Sequence, residues 1–281
     1  MKIAPGTYYA HKNRPPSARS VRDTYLKEEI MRIHSDPMMR VYGIRKIHAQ
    51  LLRDGIDVAR CTVERLCRQL GIKGVVRGRR HPRTTVPGPA DQRPCDLVER
   101  DFTAEAPNRL WVADLTYVAT NSGWVYVAFV LDVYSRMIVG WQASTRMVTD
   151  LAPDALSMGI SARTRAGQDV TGLVHHSDRG VQYTAVRYTE RLGQAHAVAS
   201  VGAKGDSYDN AMAEALNSLY KAEVIQRYAG WDGHRDVEAA TAEWVGWFNN
   251  RRLHSMLGYT TPAEIEDYYW SRYPDPVAVA A

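Results

Sequence analysis

The chain has 281 residues, enough for one large hydrophobic core and one smaller core, and its apolar content of 45% excludes general disorder. Residues 1–100 hold 21 Lys and Arg against 10 Asp and Glu, a net charge of +11, whereas residues 101–281 hold 15 against 21, a net charge of −6. This asymmetry favours a nucleic-acid binder joined to a metal-binding enzyme.

The three cysteines are odd in number, and none belongs to a C-x-x-C pair. They therefore indicate neither a zinc knuckle nor a disulfide framework, and they favour a reducing cytoplasm. We expect Cys61 and Cys67 to be small core residues. No apolar run has the length of a signal peptide or of a membrane span.

Residues 1–16 are polar and contain three prolines, so we expect them to be poorly ordered. Residues 17–72 show three helical patterns, within 17–35, from 44 to the turn at 54–55, and within 59–70. Two short helices joined by a Gly-containing turn, the second rich in Arg, are typical of a helix-turn-helix that reads the major groove. A plain three-helix bundle with solvated arginines fits the pattern equally well. The candidate DNA contacts in this domain are Arg45, Lys46, Arg60, Arg65 and Arg68.

Residues 73–104 are predicted to be a linker. The run 73–83 carries five positive charges and no acidic residue, and several prolines after it prevent regular structure. Such a segment can follow DNA phosphates, with Arg77, Arg79 and Arg80 as candidates. A solvated connection between domains is the alternative, and both roles can hold at once.

Residues 105–267 show the pattern of an α/β domain, followed by a tail at 268–281. Strands are predicted at 110–118, 124–133, 137–143, 173–176 and 197–201, and helices within 151–165, around 184–192 and at about 210–224. The first three strands are joined by short turns and predict an antiparallel meander.

Three carboxylates occur in distinctive settings. Asp114 lies inside the apolar run 110–118, Asp178 ends the segment 173–178, and Glu214 lies on the helix predicted at 210–224. A buried carboxylate is costly unless it is paired or metal-bound, and clustered carboxylates repel one another. Divalent cations relieve this repulsion, and hard oxygen ligands suit magnesium or manganese.

The spacing of these residues is informative. Sixty-three residues separate Asp114 from Asp178, and 35 separate Asp178 from Glu214. The set resembles the Asp-Asp-Glu triad of the transposase and retroviral integrase superfamily. Residues 176–183 and 209–214 resemble the second-Asp and Glu motifs of second-frame (orfB-type) transposases of bacterial insertion sequence family three. Residues 41–47 and 248–264 resemble the helix-turn-helix opening and the C-terminal signature of that family, and the likeness covers about residues 1–267.

The resemblance implies an α/β ribonuclease-H-like catalytic core, with a mixed five-stranded sheet and flanking helices, preceded by a small all-α helix-turn-helix domain. In that fold the first and fourth strands are neighbours, which would bring Asp114 beside Asp178, with Glu214 approaching from a helix. It also implies two Mg²⁺ or Mn²⁺ ions, bridged by Asp114 and completed by Asp178 and Glu214. Each carboxylate also has a simpler interpretation: Asp114 as a strand-edge carboxylate, Asp178 as a turn cap and Glu214 as a solvated helix residue.

Several neighbouring residues could support this site. Asn210 shares a helical face with Glu214 and could orient its carboxylate, although helix capping is the stronger alternative. Lys221 lies on the same face and could reach DNA. Asp132, at the start of a turn, is expected to lie outside the site, so that Asp132→Asn should keep activity. The aromatic residues before position 251 are expected to pack, and the roles of Arg251 and Arg252 stay open.

The function implied is a DNA transposase that cleaves and joins insertion-sequence ends. A silent DNA-binding regulator derived from such an enzyme, or a ribonuclease-H-like hydrolase, are the alternatives. Expected partners are double-stranded DNA, further copies of the chain in the DNA complex, and an upstream-frame product, since residues 1–9 resemble the middle of a longer polypeptide. The zinc-binding N-terminal module of retroviral integrases is not expected, because His34, His48, Cys61 and Cys67 lack suitable spacing.

Overall fold

The computed structural model describes residues 5–12, 14–76, 102–146, 150–177, 190, 192–201, 211–228 and 230–273. The chain divides into two compact units, Met1–Val75 and Val76–Ala281.

The first unit is helical. Its helices are α1 (Pro5–Lys12), α2 (Ala18–Ser35), α3 (Ile44–Arg53) and α4 (Arg60–Gln69). One apolar stripe from each of the last three helices forms the core, made of Leu26, Ile30, Ile33, Ile47, Leu51, Val63, Leu66 and Cys67. The three helices predicted between residues 17 and 72 are therefore present, in the predicted places.

Two expectations for this unit need correction. Residues 5–12 form a helix, because proline at the first helical position has a suitable φ and lacks only an N–H that would have no helical partner. Cys61 is exposed, whereas Cys67 is buried as expected. The reason is helical periodicity, since the buried stripe of α4 runs through Val63 and Leu66 and position 61 falls on another side.

The first unit extends beyond the boundary predicted at residue 72. The backbone N–H of Val75 donates to the carbonyl of Val41 at 3.1 Å. Gly74 passes so close to Gly43 that a Cβ on Gly74 would lie 2.6 Å from the Gly43 Cα, so glycine is required there. The start predicted for the linker, residue 73, is thus about three residues too early.

The second unit is built on one sheet. Its strands are β1 (Leu110–Thr120), β2 (Gly123–Asp132), β3 (Ile138–Ser144), β4 (Val174–Ser177) and β5 (Val198–Val201), in the order β3-β2-β1-β4-β5. The first three form an antiparallel meander, and β4 and β5 run parallel to β1. The expected mixed five-stranded ribonuclease-H-like sheet, with its first and fourth strands adjacent, is confirmed.

Helices cover both faces of this sheet. On one face, α5 (Leu151–Arg165) packs over Trp111, and Gly140 of β3 permits the approach because a Cβ there would overlap the carbonyl of Ala155. On the other face lie α6 (Ala211–Glu223) and α7 (His234–Asn250). Most of the helix predicted around 184–192 lies outside the described residues.

The last helix, α8 (Pro262–Arg272), continues past the end predicted for the domain at residue 267. It begins with a capping box in which Thr261 and Glu264 exchange hydrogen bonds. The ring of Tyr269 packs edge-on against Tyr134, 5.4 Å away, so packing holds the helix beyond that boundary. The predicted tail at 268–281 therefore starts too early.

Candidate active site

The β1–β4 ladder leads directly to the first predicted carboxylate. Its pairs run from Leu110↔Val174 to Ala113↔Ser177, and the next residue along β1 is Asp114, which is half-buried. The residue that follows Ser177 in the sequence is Asp178, which lies outside the described residues. The two strands thus approach the site side by side, as the resemblance implies.

Helix α6 lies over the face of the sheet that carries Asp114. Asp114 pairs across the meander with Phe129, so both side chains project from the same face. The Phe129 ring packs against Tyr220 of α6 at 5.1 Å and against Trp244 of α7 at 5.9 Å. This aromatic cluster fixes the position of α6 above β1.

A side-chain amide joins α6 directly to Asp114. Asn217 Nδ2 donates to Asp114 Oδ2 at 2.8 Å and to the carbonyl of Leu115 at 3.3 Å. The other carboxylate oxygen, Oδ1, accepts the backbone N–H of Leu115 at 2.8 Å. Both oxygens of Asp114 are therefore held in place before any ligand arrives.

Glu214 lies on the same helical face, one turn before Asn217, and Lys221 lies one turn after it. The Lys221 ammonium is 4.7 Å from the centre of the Tyr117 ring on β1. Because Asn217 and Lys221 both reach β1, the face that bears Glu214 points towards Asp114. The Glu214 side chain is exposed and accessible to a ligand.

Sequence reasoning did not single out Asn217. The signal was available, because position 217 is three residues after Glu214 and shares its helical face. Asn210, which was singled out, lies outside the described residues, as do Arg77, Arg79 and Arg80.

Asp132 ends β2 and begins a turn as expected, but its side chain is buried; that Asp132→Asn keeps activity stays a prediction. Its carboxylate is fully buried and accepts hydrogen bonds from the backbone of Asn108, Tyr134 and Ser135 and from Trp111 Nε1. Burial raises its pKa, and Arg163, 3.7 Å away, opposes that shift. The sequence showed the turn, but could not show that α5 and α8 cover it.

His175 and His176 are both buried in β4. Desolvation lowers the pKa of His175 to about 3, so this ring is neutral at physiological pH. His176 Nδ1 lies 2.9 Å from Ser200 Oγ of β5. The ring of His176 also packs edge-on against Phe102, 5.7 Å away.

The C-terminal signature is anchored to the end of α6 by a buried ion pair. Arg252 donates to both carboxylate oxygens of Glu223, the last residue of α6, with a shortest distance of 2.6 Å. Trp244 Nε1 donates to the same carboxylate, and the guanidinium packs over Phe248 at 5.3 Å. Arg252 is thus a packing residue, as are the aromatic residues before it, whereas Arg251 is exposed.

Two further contacts anchor this signature and the helix after it. Asn249 of α7 donates to and accepts from the backbone of Ile138 on β3, both at 2.9 Å. Glu266 of α8 is buried and receives two hydrogen bonds from Arg163 of α5 and one from Ser135. Together with the Glu223–Arg252 pair, these contacts fix the C-terminal segment to three parts of the second unit.

In the first unit the predicted DNA contacts differ in their surroundings. Arg60, Glu64 and Arg68 are exposed at four-residue spacing along one face of α4, with Arg68 paired to Glu64 at 3.2 Å. Arg65 instead donates two hydrogen bonds to Asp23 of α2, at 2.8 and 3.0 Å, and so holds α4 against α2. On α3, Arg45 is exposed, while the ammonium of Lys46 lies 5.0 Å from the Tyr42 ring.

The donor set around Asp114 suits a hard divalent cation. Each carboxylate oxygen accepts one of the hydrogen bonds above, and a carboxylate oxygen can accept a hydrogen bond and bind a cation at the same time. The predicted partners, Asp178 and Glu214, offer only carboxylate oxygens, the ligands that magnesium and manganese prefer.

Comparisons with protein families agree with this organisation. Residues 21–80 match the model of an HTH-like domain, and residues 104–207 and 198–262 match two models of an integrase core domain. The predicted triad positions fall within the two integrase matches. No helix in the described part of the chain is both long and apolar enough to span a membrane.

Curated relatives match almost the whole chain. The chain is 51% identical, over 99% of its length and 100% of the relative, to the putative transposase for insertion sequence element IS986/IS6110 of Mycobacterium tuberculosis. It is 50% identical, over 96% of its length and 90% of the relative, to the transposase for insertion sequence element IS629 of Shigella sonnei. Among solved structures, the catalytic core domain of HTLV-2 integrase in complex with magnesium aligns with 58% of this chain and 99% of its own, at 15% identity and a TM-score of 0.45.

Proposed function

This chain belongs to the insertion-sequence transposases of family three, and we propose that it cleaves and joins DNA ends at a metal site formed by Asp114, Asp178 and Glu214. The observation that carries the proposal is the hydrogen bond from Asn217 to Asp114. It ties the helix that bears Glu214 to the strand that bears Asp114.

We assign Asp178 to the proposed site because of its position in the sequence, directly after Ser177 of β4. The parallel ladder ends at Ala113↔Ser177, and consecutive Cα atoms are about 3.8 Å apart. Asp114 and Asp178 are therefore the next residues in the chain after the paired Ala113 and Ser177. The two strands that hold this pair are about 4.8 Å apart. This supports a shared site for the two carboxylates at the end of β4.

Two divalent ions, Mg²⁺ or Mn²⁺, would supply Lewis acidity for an in-line displacement at phosphorus. Asp114, Asp178 and Glu214 would hold these ions through their carboxylate oxygens. Asn217 would keep the Asp114 carboxylate in one orientation. Lys221, one turn beyond Asn217, is available to a DNA phosphate next to the site.

The proposal is tested with Asp114→Asn, Asp178→Asn and Glu214→Gln in assays of nicking and strand joining on an insertion-sequence end. Each change removes a ligand charge and keeps the side-chain volume, so each should abolish both reactions and leave DNA binding largely intact. Glu243→Gln, at an exposed position of α7, and Asp267→Asn, at an exposed position of α8, are the matched controls. Near-normal joining in magnesium by a triad variant would remove that residue from the proposed site. An RNA–DNA hybrid as a second substrate separates the transposase from a ribonuclease.

We further propose that α4 reads duplex DNA through the exposed face that bears Arg60 and Arg68, with Arg45 and Lys46 of α3 and the linker arginines Arg77, Arg79 and Arg80 contacting phosphates. The exposure of the α4 face and the match to an HTH-like domain support this assignment. Arg65 contributes mainly by holding α4 in place.

End recognition is proposed to need more than this chain. By family resemblance, a homo-oligomer fused to the upstream-frame product pairs the two insertion-sequence ends. A transposition assay that compares the 281-residue chain with the fusion tests this. The fusion should transpose end-specifically and the isolated chain poorly, and full end-specific transposition by the isolated chain would exclude the requirement.

A further inference from the structure

The second unit, which is the proposed catalytic unit, has an open cleft of about 870 Å³. This cleft lies away from the proposed metal site. Its floor includes Leu110 and Val174, the first residues of β1 and β4. Asp114 lies four residues further along β1, about 13 Å away at about 3.3 Å per residue. The cleft is therefore at the opposite end of the parallel strand pair, and the proposed triad does not use it.

Tyrosine rings form one wall of this cleft. Tyr134 packs against Tyr269 at 5.4 Å, and Tyr269 packs against Tyr273 at 5.1 Å with an angle of 36° between the rings. Tyr273 is 62% exposed, and Tyr268 is 57% exposed. The row of rings thus begins against the β2–β3 turn and ends with aromatic surface open to a ligand.

Two exposed arginines, Arg109 and Arg272, line the cleft. Hydrogen bonding from Thr171 and, to a smaller extent, the charge of Arg109 lower the pKa of Asp169, so Arg109 has a carboxylate in its surroundings. The guanidinium of Arg272 lies 4.6 Å from the centre of the Tyr268 ring. Glu105 is the only acidic residue in the described lining, so the cleft is net positive within residues 101–281, which are net negative.

We infer that this cleft binds a segment of single-stranded DNA, with bases stacked on Tyr268 and Tyr273 and phosphates at Arg109 and Arg272. Exposed aromatic rings beside exposed cations are the combination that binds unpaired nucleotides without sequence preference. DNA is favoured over a protein partner because the family acts on DNA and the cleft offers cations for phosphates. The inference rests on the DNA substrate of the proposed function, but it does not depend on the triad.

The test is the binding of a fluorescein-labelled oligothymidine to the full chain, in EDTA, so that the metal site does not contribute. The double variant Tyr268→Ser/Tyr273→Ser should bind it about 10-fold more weakly, since removing each stacking ring weakens binding severalfold. The matched control is Tyr228→Ser, because Tyr228 is 57% exposed on the same unit and lies outside the cleft. Unchanged affinity in the double variant, or an equal loss of affinity in the control, would overturn the inference.

The arginines are tested by the salt dependence of the same binding. Arg109→Gln with Arg272→Gln should reduce the magnitude of the slope of log K against log salt by about 1.4, or about 0.7 for each phosphate that the variant no longer neutralises. Arg165→Gln, an exposed change at the end of α5, should leave the slope unchanged. If the arginine pair instead changes only the sedimentation behaviour of the chain, the cleft is a contact between copies, and the DNA assignment is wrong. Because both arginines are exposed, folding is expected to be retained, as circular dichroism would verify.

Discussion

The two units of this transposase use arginine in different ways. In the catalytic unit, Arg163 and Arg252 are buried and each binds a buried glutamate. In the helix-turn-helix unit, Arg45 and Arg60 are exposed. Arg65 is bound to Asp23, so its surroundings resemble those of Arg163 and Arg252 more than those of its exposed neighbours on α4. The role of an arginine therefore follows from its burial and its partner together, and not from the charge of the surrounding sequence.

This difference has a physical basis. A buried ion pair costs desolvation energy, and it holds two elements in one geometry only when hydrogen bonds satisfy both groups. The proposed function requires such geometry in the catalytic unit, because it needs α6 to hold Glu214 near Asp114. A DNA-reading helix needs cations that remain available to phosphates and bases, so pairing them within the protein would weaken binding.

The largest effect is expected at the buried ion pair between Arg252 and Glu223, the last residue of α6. Arg252→Met leaves Glu223 as an uncompensated buried charge and should lower the free energy of unfolding by about 3–5 kcal/mol. Arg251→Met, at the exposed neighbouring position, should change it by less than about 0.5 kcal/mol. Chemical denaturation of the two variants measures the contrast. Equal effects would show that burial of Arg252 does not distinguish it from Arg251.

A smaller effect, on activity, is expected at Asn217. Asn217→Ala removes the hydrogen bond that orients Asp114 and should reduce strand cleavage by about 10- to 100-fold, as is usual when the support of a metal ligand is lost. The magnesium concentration for half-maximal activity should rise, which a loss of folded protein alone would not cause. Ser218→Ala, at the exposed next position, is the control. Unchanged magnesium dependence would show that Asn217 does not position a metal ligand.

The smallest effects should separate the arginines of α4. Hydrogen bonding to Arg65 lowers the pKa of Asp23, so the pair stabilises the fold above the pKa of an unfolded Asp. That stabilisation is lost as the pH falls through the lowered pKa. Arg65→Ala should therefore lower Tm at neutral pH and remove this acid-dependent loss.

Arg60→Ala and Arg68→Ala should instead leave Tm unchanged and reduce the slope of duplex-DNA binding against salt by about 0.9 each. The two sets of variants, measured by thermal unfolding and by titration with duplex DNA, distinguish structural from DNA-binding arginines. A lower Tm for Arg60→Ala with unchanged DNA binding would reverse the assignment.

The sequence predicted the fold well where local pattern determines structure. The meander from β1 to β3 and the helices α2 to α6 follow from hydrophobic periodicity and turn residues. The adjacency of β1 and β4 came only from family resemblance, because parallel pairing joins distant segments and leaves no local signal. Contacts that join distant residues, such as Asn217 with Asp114, likewise depend on how elements pack.

The same limit explains the residues whose surroundings were not predicted. Asp132 precedes a turn in the sequence, but Arg163 and Glu266 approach from segments that are far along the chain. Arg252 ends the polar run 249–252, and only the fold shows that it reaches back to Glu223. In each case the sequence shows a charged residue, and only the tertiary structure shows which residue it pairs with.

The most direct test of the central claim is the position of bound manganese in crystals of the chain, located by anomalous diffraction. The account predicts Mn²⁺ bound by carboxylate oxygens of Asp114 and Glu214 together with Asp178, at about 2.2 Å, as is typical for small divalent cations with oxygen ligands. It also predicts that the Asn217–Asp114 hydrogen bond is retained. Manganese bound elsewhere, with Asp114 free of metal in crystals that bind the ion, would contradict it.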